Sequence, residues 1–562
     1  MLNKIKAFFP GLVLLFQYKR EWFVEDLRAG FSVAVIALPI GLALAGLVGL
    51  PPEVGLYATI IPITIYSIFS SSKQLIIGPD APTCMMLAAV LLPFASSGNE
   101  AYYETCLILT MLVGLLSILG GIFRLGFIAD FLSKPILIGY LNGLMFSIII
   151  SQIDKIFGYN IINSGFLRML IDFISKIGAT NTATVILGFT SIGFLLIMNK
   201  FLPKFPAAFL ATVISCIAVY FFDLQKIGVA TLGSFPSGLP PIGIPSFDLE
   251  LILTLLPGAL GIVLISYCSA MLTGKSFAAK YNYEIVSNQE FIALGVANVA
   301  SGLAGGFAAS GADSLTAVAH SEKGKTSLTS IIASAILIAV LFFLADLMAL
   351  IPFATLGAIV IVSVLELLNI SYLKKLYKVR KLEFYISIIT TLCVISIGVM
   401  YAVAAAVGIA IINLIKRASK PDEEELGRIK DSDLYANIRE YPNAKTIDGL
   451  LIYKFNSALV FFNAEFFKNK IREHIAKADT PPQWILIDAS AINYIDTTAT
   501  DMLMELVIEL NSNEIKLAFA SAQKGVMEIF ERSGLKEMIG SEFFFIHVSV
   551  GVDSFLRNKK YN

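Results

Sequence analysis

The chain has 562 residues, 56% of them hydrophobic and 15% charged, with 42 basic side chains against 42 acidic ones. Soluble domains carry about 25% charge, so the deficit excludes a disordered, collagen-like or disulfide-rich secreted protein and indicates a multi-span membrane protein. The even charge balance also excludes nucleic acid as a partner, because phosphate binding requires a basic surplus on one face.

Residues 1–28 are basic (Lys4, Lys6, Lys19, Arg20) but their short apolar patches lack the length and cleavage pattern of a signal peptide, so they read as a cytoplasmic segment. A bilayer crossing needs about 20 apolar residues. Stretches between successive charges meet this at 29–52, 54–72, 81–99, 105–123, 135–153, 177–199 and 205–222. After a Gly/Pro-rich loop at 233–245 come 251–274, 291–312, a short piece at 313–320, 327–345 and 347–365. The uncharged run 384–415 is too long for one helix and is divided near Tyr401. The expected membrane domain therefore spans 29–420, with seven segments in each half, about 29–222 and 251–415.

Lysine and arginine collect in alternate loops, at Lys73, Arg124/Lys134, Lys200/Lys204, Lys275/Lys280, Lys323/Lys325, 374–381 and Lys416/Arg417/Lys420. By the positive-inside rule both termini are cytoplasmic and the protein lies in the plasma membrane. The loop 154–176 is the exception, with Lys155, Arg168 and Lys176 on the outer side. An odd number of segments per half places the halves in opposite orientations, the geometry of inverted repeats.

In such folds the transport site lies where short, Gly/Pro-interrupted segments correspond between the halves. Here these are the third, opening Gly78-Pro79-Asp80-Ala81-Pro82-Thr83, and the tenth, opening Gly311-Ala312-Asp313-Ser314. A half-helix starting at mid-membrane directs backbone N–H groups and the positive end of its dipole inward, where they can hold an anion. Spacing alone thus indicates a secondary transporter for an anion.

Beyond Lys420 the composition turns to ordinary charge density, and 421–562 reads as a cytoplasmic α/β domain. Strands are expected at 450–455, 459–462, 484–488 and 516–520, and helices at 463–476, 497–510 and 524–533, the last stopped by Gly534. Cys84, Cys106, Cys216, Cys268 and Cys393 show no metal-type spacing, and no nucleophile–base pair or phosphate loop is present, so no enzyme is expected.

Three stretches resemble the SulP family of anion transporters: 39–45 (PIGLALA) with 49–57 (GLPPEVGLY), 287–295 (SNQEFIALG) with Asn298 and Gly305-Gly306, and 485–490 (ILIDAS) with 495–498 (IDTT). The segment 461–465 (FFNAE) is likewise similar to the STAS portion of these transporters. The resemblance implies an all-α membrane domain of 14 segments in two inverted repeats, with the core and gate of UraA-like carriers, joined to a C-terminal STAS domain. It implies an elevator-type carrier of sulfate, bicarbonate or a dicarboxylate, assembled as a homodimer, with a cytoplasmic regulatory partner reached through STAS. The implied substrate site comprises Ile40, Ala81, Thr83, Ser269, Thr273, Ala312, Asp313 and Ser314. Many relatives carry an arginine where this chain has Leu315, a carboxylate where it has Ser269 and a glutamine where it has Ile40, while Asp80 and Asp313 replace small or hydroxyl residues. Thr498 falls at the position phosphorylated in related STAS regulators.

Asp80 and Asp313 are either helix caps or functional intramembrane carboxylates. Two ionised carboxylates across one site would repel an anion, so the functional reading has them take up H⁺ or Na⁺ as the coupling ion; no other cofactor is expected. His320 reads as a solvated or capping residue or as a proton relay, and Ser269, Thr273 and Thr83 as donors to substrate or to their own helix backbone. Asp496 or Thr497 is expected to cap the helix that contains Thr498. Alternatives to a coupled carrier are an uncoupled anion channel or exchanger, a membrane-anchored STAS signalling protein, and, less favoured for want of a carboxylate at Ser269, a nucleobase carrier.

Overall fold

A computed structural model describes residues 9–561 apart from 17, 131–133, 160–165, 203–204, 234, 236–237, 239–241, 244, 246–247, 366–367, 369, 398–404, 406–407, 409–411, 413–414, 431 and 479. The chain divides into two compact units, Met1–Ala410 and Ile411–Asn562. In the first, the helices are α1 (Phe23–Val48), α2 (Pro52–Phe69), α3 (Ala81–Leu91), α4 (Asn99–Ile122), α5 (Lys134–Phe157), α6 (Phe166–Lys176), α7 (Thr182–Phe201), α8 (Ala207–Phe221), α9 (Leu249–Tyr281), α10 (Ser287–Leu303), α11 (Asp313–Ser321), α12 (Leu328–Phe343), α13 (Phe353–Leu365), α14 (Ile370–Val379) and α15 (Lys381–Ile397). Seven helical stretches among the described residues are long and apolar enough to cross a bilayer, and the shorter apolar helices Ala81–Phe94, Ala207–Phe221 and Leu328–Phe343 lie among them. The expected break near Tyr401 and the segment after it fall outside the described residues.

Two expectations for this unit are corrected. The ninth segment does not run as one helix over 291–312: α10 ends at Leu303 and the chain continues extended. The cause is side-chain competition for the backbone, since Asn298 Oδ1 accepts from Ala309 N (2.7 Å), its Nδ2 donates to Ala309 O (3.2 Å), and Ser301 Oγ donates to Phe307 O (2.8 Å). The basic loop expected on the outer side contains a helix of its own, α6, whose apolar residues Ile171 and Ile174 are exposed.

Helices α1–α4 and α9–α12 pack with one another, as do α5, α7, α8, α13 and α15; α1 meets α5, α8 and α13 of the second group. Within the first group α4 and α10 approach backbone to backbone. A Cβ on Gly114 would lie 2.7 Å from Gly295 O, and one on Gly295 would lie 2.6 Å from Gly114 O, so only glycine permits this backbone contact.

The second unit is a mixed sheet of β3 (Glu423–Ile429), β4 (Tyr435–Asn437), β5 (Ala444–Lys445), β6 (Leu450–Phe455), β7 (Trp484–Asp488), β8 (Lys516–Ala520) and β9 (Phe544–Phe545), in the order β4-β3-β6-β7-β8-β9 with β5 beside β3. Strands β6 to β9 are parallel and β3 is antiparallel to β6. Helices α16 (Ala464–Lys477), α17 (Thr497–Ser512) and α18 (Lys524–Arg532) contribute Phe467, Leu503 and Phe530 to one buried face, and α19 (Val548–Tyr561) covers the other with Val552 and Phe555. The strand expected at 459–462 is only an isolated bridge from Leu459 to Ile495. Asn463 does not cap α16; its side chain instead folds the preceding turn, Oδ1 accepting from Val460 N (2.9 Å) and Nδ2 donating to Ala458 O (3.0 Å).

On α16 the buried His474 joins that helix to β3, its Nε2 lying 2.8 Å from Glu423 and its Nδ1 3.2 Å from Glu425. Lys470 Nζ is 3.8 Å from Glu423, and the Tyr453 ring packs edge-on against the imidazole. The Glu425 hydrogen bond and the Glu423 carboxylate raise the imidazole pKa above its ordinary value of 6.5 against the opposing effect of burial. The sign follows from linkage: with the folded pKa raised, the stabilisation is complete below the unfolded pKa and is lost as pH rises through the folded one. Amide exchange in β3 and α16 of the full chain, corrected for intrinsic rates, is therefore expected to be slower near pH 6 than near pH 8.5. His474→Gln is expected to abolish that difference, and equal protection at both pH values in the unsubstituted chain would contradict the assignment.

Candidate functional site

The two interrupted segments meet. Strand β1 (Ile77–Gly78) pairs antiparallel with β2 (Ser310–Gly311), Ile77 opposite Gly311 and Gly78 opposite Ser310. Ala312 N donates to Ile76 O (2.9 Å), and Thr316 Oγ1 accepts from Ile76 N (3.1 Å), which ties α11 to the first repeat. A Cβ on Gly311 would fall 2.6 Å from Ala270 Cα, so glycine lets the crossing lie directly on α9. Helices α3 and α11 both begin at this crossing, and the first amides of each, apart from Pro82, which has no N–H, have no partner within the helix.

A cavity of about 420 Å³ opens beside the crossing. Of the sequence-derived site residues, Ile40, Asp80, Ala81, Ser269, Ala312, Asp313 and Ser314 line it. Thr83 and Thr273 do not: both are buried behind the wall, each next to an aspartate. Thr273 Oγ1 lies between Ser269 O (3.1 Å) and the Asp313 carboxylate, to which it hydrogen-bonds. Thr83 is close enough to interact with Asp80 but not in hydrogen-bond geometry, so its hydroxyl and both Asp80 carboxylate oxygens are buried without partners.

Neither aspartate caps its helix. Asp80 occupies the cap position of α3 but makes no side-chain cap bond, and on α11 the cap position belongs to Ala312. The two carboxylates are close enough to interact across the crossing. Leu315 is buried and absent from the cavity wall, and no lysine, arginine or histidine is among the described residues that line it. His320 lies away from the cavity, its ring nitrogens at Lys280 Nζ (2.6 Å) and Tyr281 Oη on the last turn of α9.

Three polar cavity residues escaped the sequence reading: Tyr140 on α5, Asn199 on α7 and Ser363 on α13. The Tyr140 hydroxyl is buried without a partner and interacts with Asp80. Nothing in the periodicity of these helices distinguishes the cavity face from the packed one, because both are apolar.

In the second unit Asp496 caps α17, its Oδ1 accepting from Ala499 N (2.8 Å) and its Oδ2 from Phe461 N (2.7 Å). Thr498, in the first turn of that helix, is exposed.

Residues 23–390 match the sulfate permease family, and residues 441–550 match the STAS domain. A probable sulfate transporter of Mycobacterium tuberculosis is 34% identical over 548 residues, covering 98% of each chain. Sulfate transporter 4.1, chloroplastic, of Arabidopsis thaliana is 30% identical over 566 residues, covering 98% of this chain and 82% of the relative. Among solved structures, that of SLC26A9 superposes with a TM-score of 0.92 at 21% identity, over 100% of this chain and 94% of the other. The transmembrane domain of the cyanobacterial bicarbonate transporter BicA superposes with a TM-score of 0.61 at 23% identity, over 70% of this chain and 98% of the other.

Proposed function

Because the chain belongs to the sulfate permease family, a family of transporters and not of enzymes, we propose that it is a secondary active carrier of a small anion, with its site in the cavity at the β1–β2 crossing. The observation that carries this reading is the convergence of two half-helix N-termini on one cavity. The amides of α3 and α11 supply the anion's hydrogen bonds, with Ser269 and Ser314 as further donors on the wall.

Asp80 and Asp313 determine the coupling. The wall holds two carboxylates and no basic side chain among its described residues, so an anion entering alone meets net negative charge. Uptake of H⁺ or Na⁺ by the aspartates removes that charge, which makes cation and anion binding mutually favourable. An uncoupled channel would gain nothing from this arrangement.

The division of the helices into two packing groups, which meet along α1 and where α3 touches α5, supports an elevator movement of one group against the other. We take the termini to be cytoplasmic in a plasma-membrane homodimer, with the exposed Thr498 as the phosphoacceptor through which a regulator acts on STAS.

The test is uptake of radiolabelled sulfate, bicarbonate, fumarate and uracil into proteoliposomes, with and without imposed H⁺ and Na⁺ gradients. Saturable uptake of an anion that follows one gradient is expected. Large currents indifferent to both gradients would indicate a channel, and no flux of any solute would leave only a signalling role.

A further inference from the structure

Lys155 lies near the outer end of α5, 15 positions after the cavity residue Tyr140 and hence roughly 22 Å further along the helix. A lysine in the last turn of a helix ordinarily extends into water, where it complements the helix dipole. This one is directed inward. Its amine sits on the backbone of α1, where a Cβ added to Gly46 would be 2.9 Å from Nζ, and its stem packs along Gly357 of α13, 3.1 Å from a Cβ built there. Gly46 is two residues beyond Leu44, the last residue of α1 on the cavity wall, and Gly357 is two residues before Ile359, the first of α13 on that wall. The ammonium therefore occupies the turn of α1 just beyond the cavity, and its stem occupies the corresponding turn of α13.

The hydrogen-bond partner of Nζ is a neutral amide, Gln152 Oε1 at 2.8 Å, while the neighbouring Asp154 carboxylate is turned to the Lys155 backbone N–H (2.7 Å). The charge is thus held by α5, of one packing group, and laid on α1, of the other. The Asp154 carboxylate is near enough to attract the ammonium, but the hydrogen bond goes to the amide. An ammonium seated on a glycine of the opposing group is released when the groups separate.

We propose that Lys155 is the outer gate of the anion route: seated on Gly46 it closes the external end of the cavity, and once α1 moves away it is the first positive charge met by an anion arriving from outside. The inference rests on the anion-carrier reading and its topology. It assigns anion capture to a residue outside the cavity, whose described lining carries no basic side chain.

The experiment measures uptake of radiolabelled sulfate, bicarbonate and fumarate by the full chain in proteoliposomes. Lys155→Met keeps the length of the stem without the charge, and is expected to raise the half-saturating external concentration about tenfold, the effect of losing one modest ionic attraction, with little change in maximal rate. Lys155→Arg is expected to stay within about twofold of the unsubstituted chain. In Lys155→Cys, external 2-aminoethyl methanethiosulfonate restores an ammonium through a disulfide and is expected to restore half-saturation. Methyl methanethiosulfonate, which adds no charge, is expected not to. The unsubstituted chain with its five native cysteines is the control. Unchanged half-saturation in Lys155→Met, or equal rescue by both reagents, would overturn the gate while leaving the carrier intact. An unsubstituted chain that moves none of the three anions would overturn both.

Discussion

Asp313→Asn is expected to leave the protein folded and to remove the response of anion uptake to an imposed ion gradient. Asp313 is exposed to the cavity and receives a hydrogen bond from Thr273, so the amide fits the space but no longer gains or loses charge. A hydrogen bond to a charged group contributes about 1.5–3 kcal/mol, which corresponds to roughly 10- to 100-fold in coupling-ion affinity. Gradient-driven uptake is expected to fall by that factor while downhill exchange persists. Asp80→Asn is expected to act in the same direction with less disturbance of its surroundings, since the Asp80 carboxylate has no hydrogen-bond partner to lose. Thr273→Val, which removes the donor and keeps the shape, is expected to reproduce part of the Asp313 effect. Flux measurements under H⁺ and Na⁺ gradients decide the matter, and unaltered gradient dependence in both aspartate variants would refute carboxylate coupling.

The second large effect is expected at Glu290. This side chain is 2% exposed at the start of α10, yet it belongs to the architecture of the other repeat. Its carboxylate accepts from Ser71 N (2.7 Å), Ser71 Oγ (2.6 Å), Ser72 N (2.9 Å), Ser70 Oγ (3.0 Å) and the Tyr66 hydroxyl. Those residues form the end of α2 and the turn that leads into β1. Glu290→Ala would strand the Ser71 N–H and the hydroxyls of Ser71 and Tyr66, while Ser72 N keeps Ser70 Oγ (2.9 Å) and Ser70 Oγ keeps Ser72 O (3.4 Å), at a cost of order 3–5 kcal/mol. The detergent-solubilised protein is expected to melt several degrees lower, and uptake is expected to fall because the N-terminus of α3 is no longer fixed against α11. Glu290→Gln is expected to be intermediate, as its amide nitrogen must face donors where the carboxylate only accepts. A melting temperature for Glu290→Ala within about one degree of the unsubstituted protein would contradict this role.

The site was partly legible in advance, for identifiable reasons. Gly78-Pro79 and Gly311-Ala312 interrupt apolar runs, and interruption is a local property that a single sequence displays. The aspartates stood out because charge inside a membrane is rare. Lys155 appeared only as an exception to the alternation of basic loops. Its seat on Gly46, more than a hundred positions away in the chain, is visible only in the fold. The burial of Leu315 off the cavity wall could not be read from the sequence, where the resemblance implies an arginine in many relatives.

The sequence by itself determined what depends on composition and local pattern: a membrane unit followed by a normally charged domain, an inverted pair of repeats, two broken segments and the family. Only the tertiary structure decided what depends on contacts between distant residues. Strands β1 and β2 are two residues long and 233 positions apart, too short for any periodicity to announce them, and their pairing is what brings Asp80 and Asp313 to one cavity. The same holds for Tyr140, Asn199 and Ser363, which occupy helices whose every face is apolar because lipid and protein interior make the same demand on a side chain. In a membrane the hydrophobic pattern identifies a helix but does not orient it, and the orientation is what makes the site.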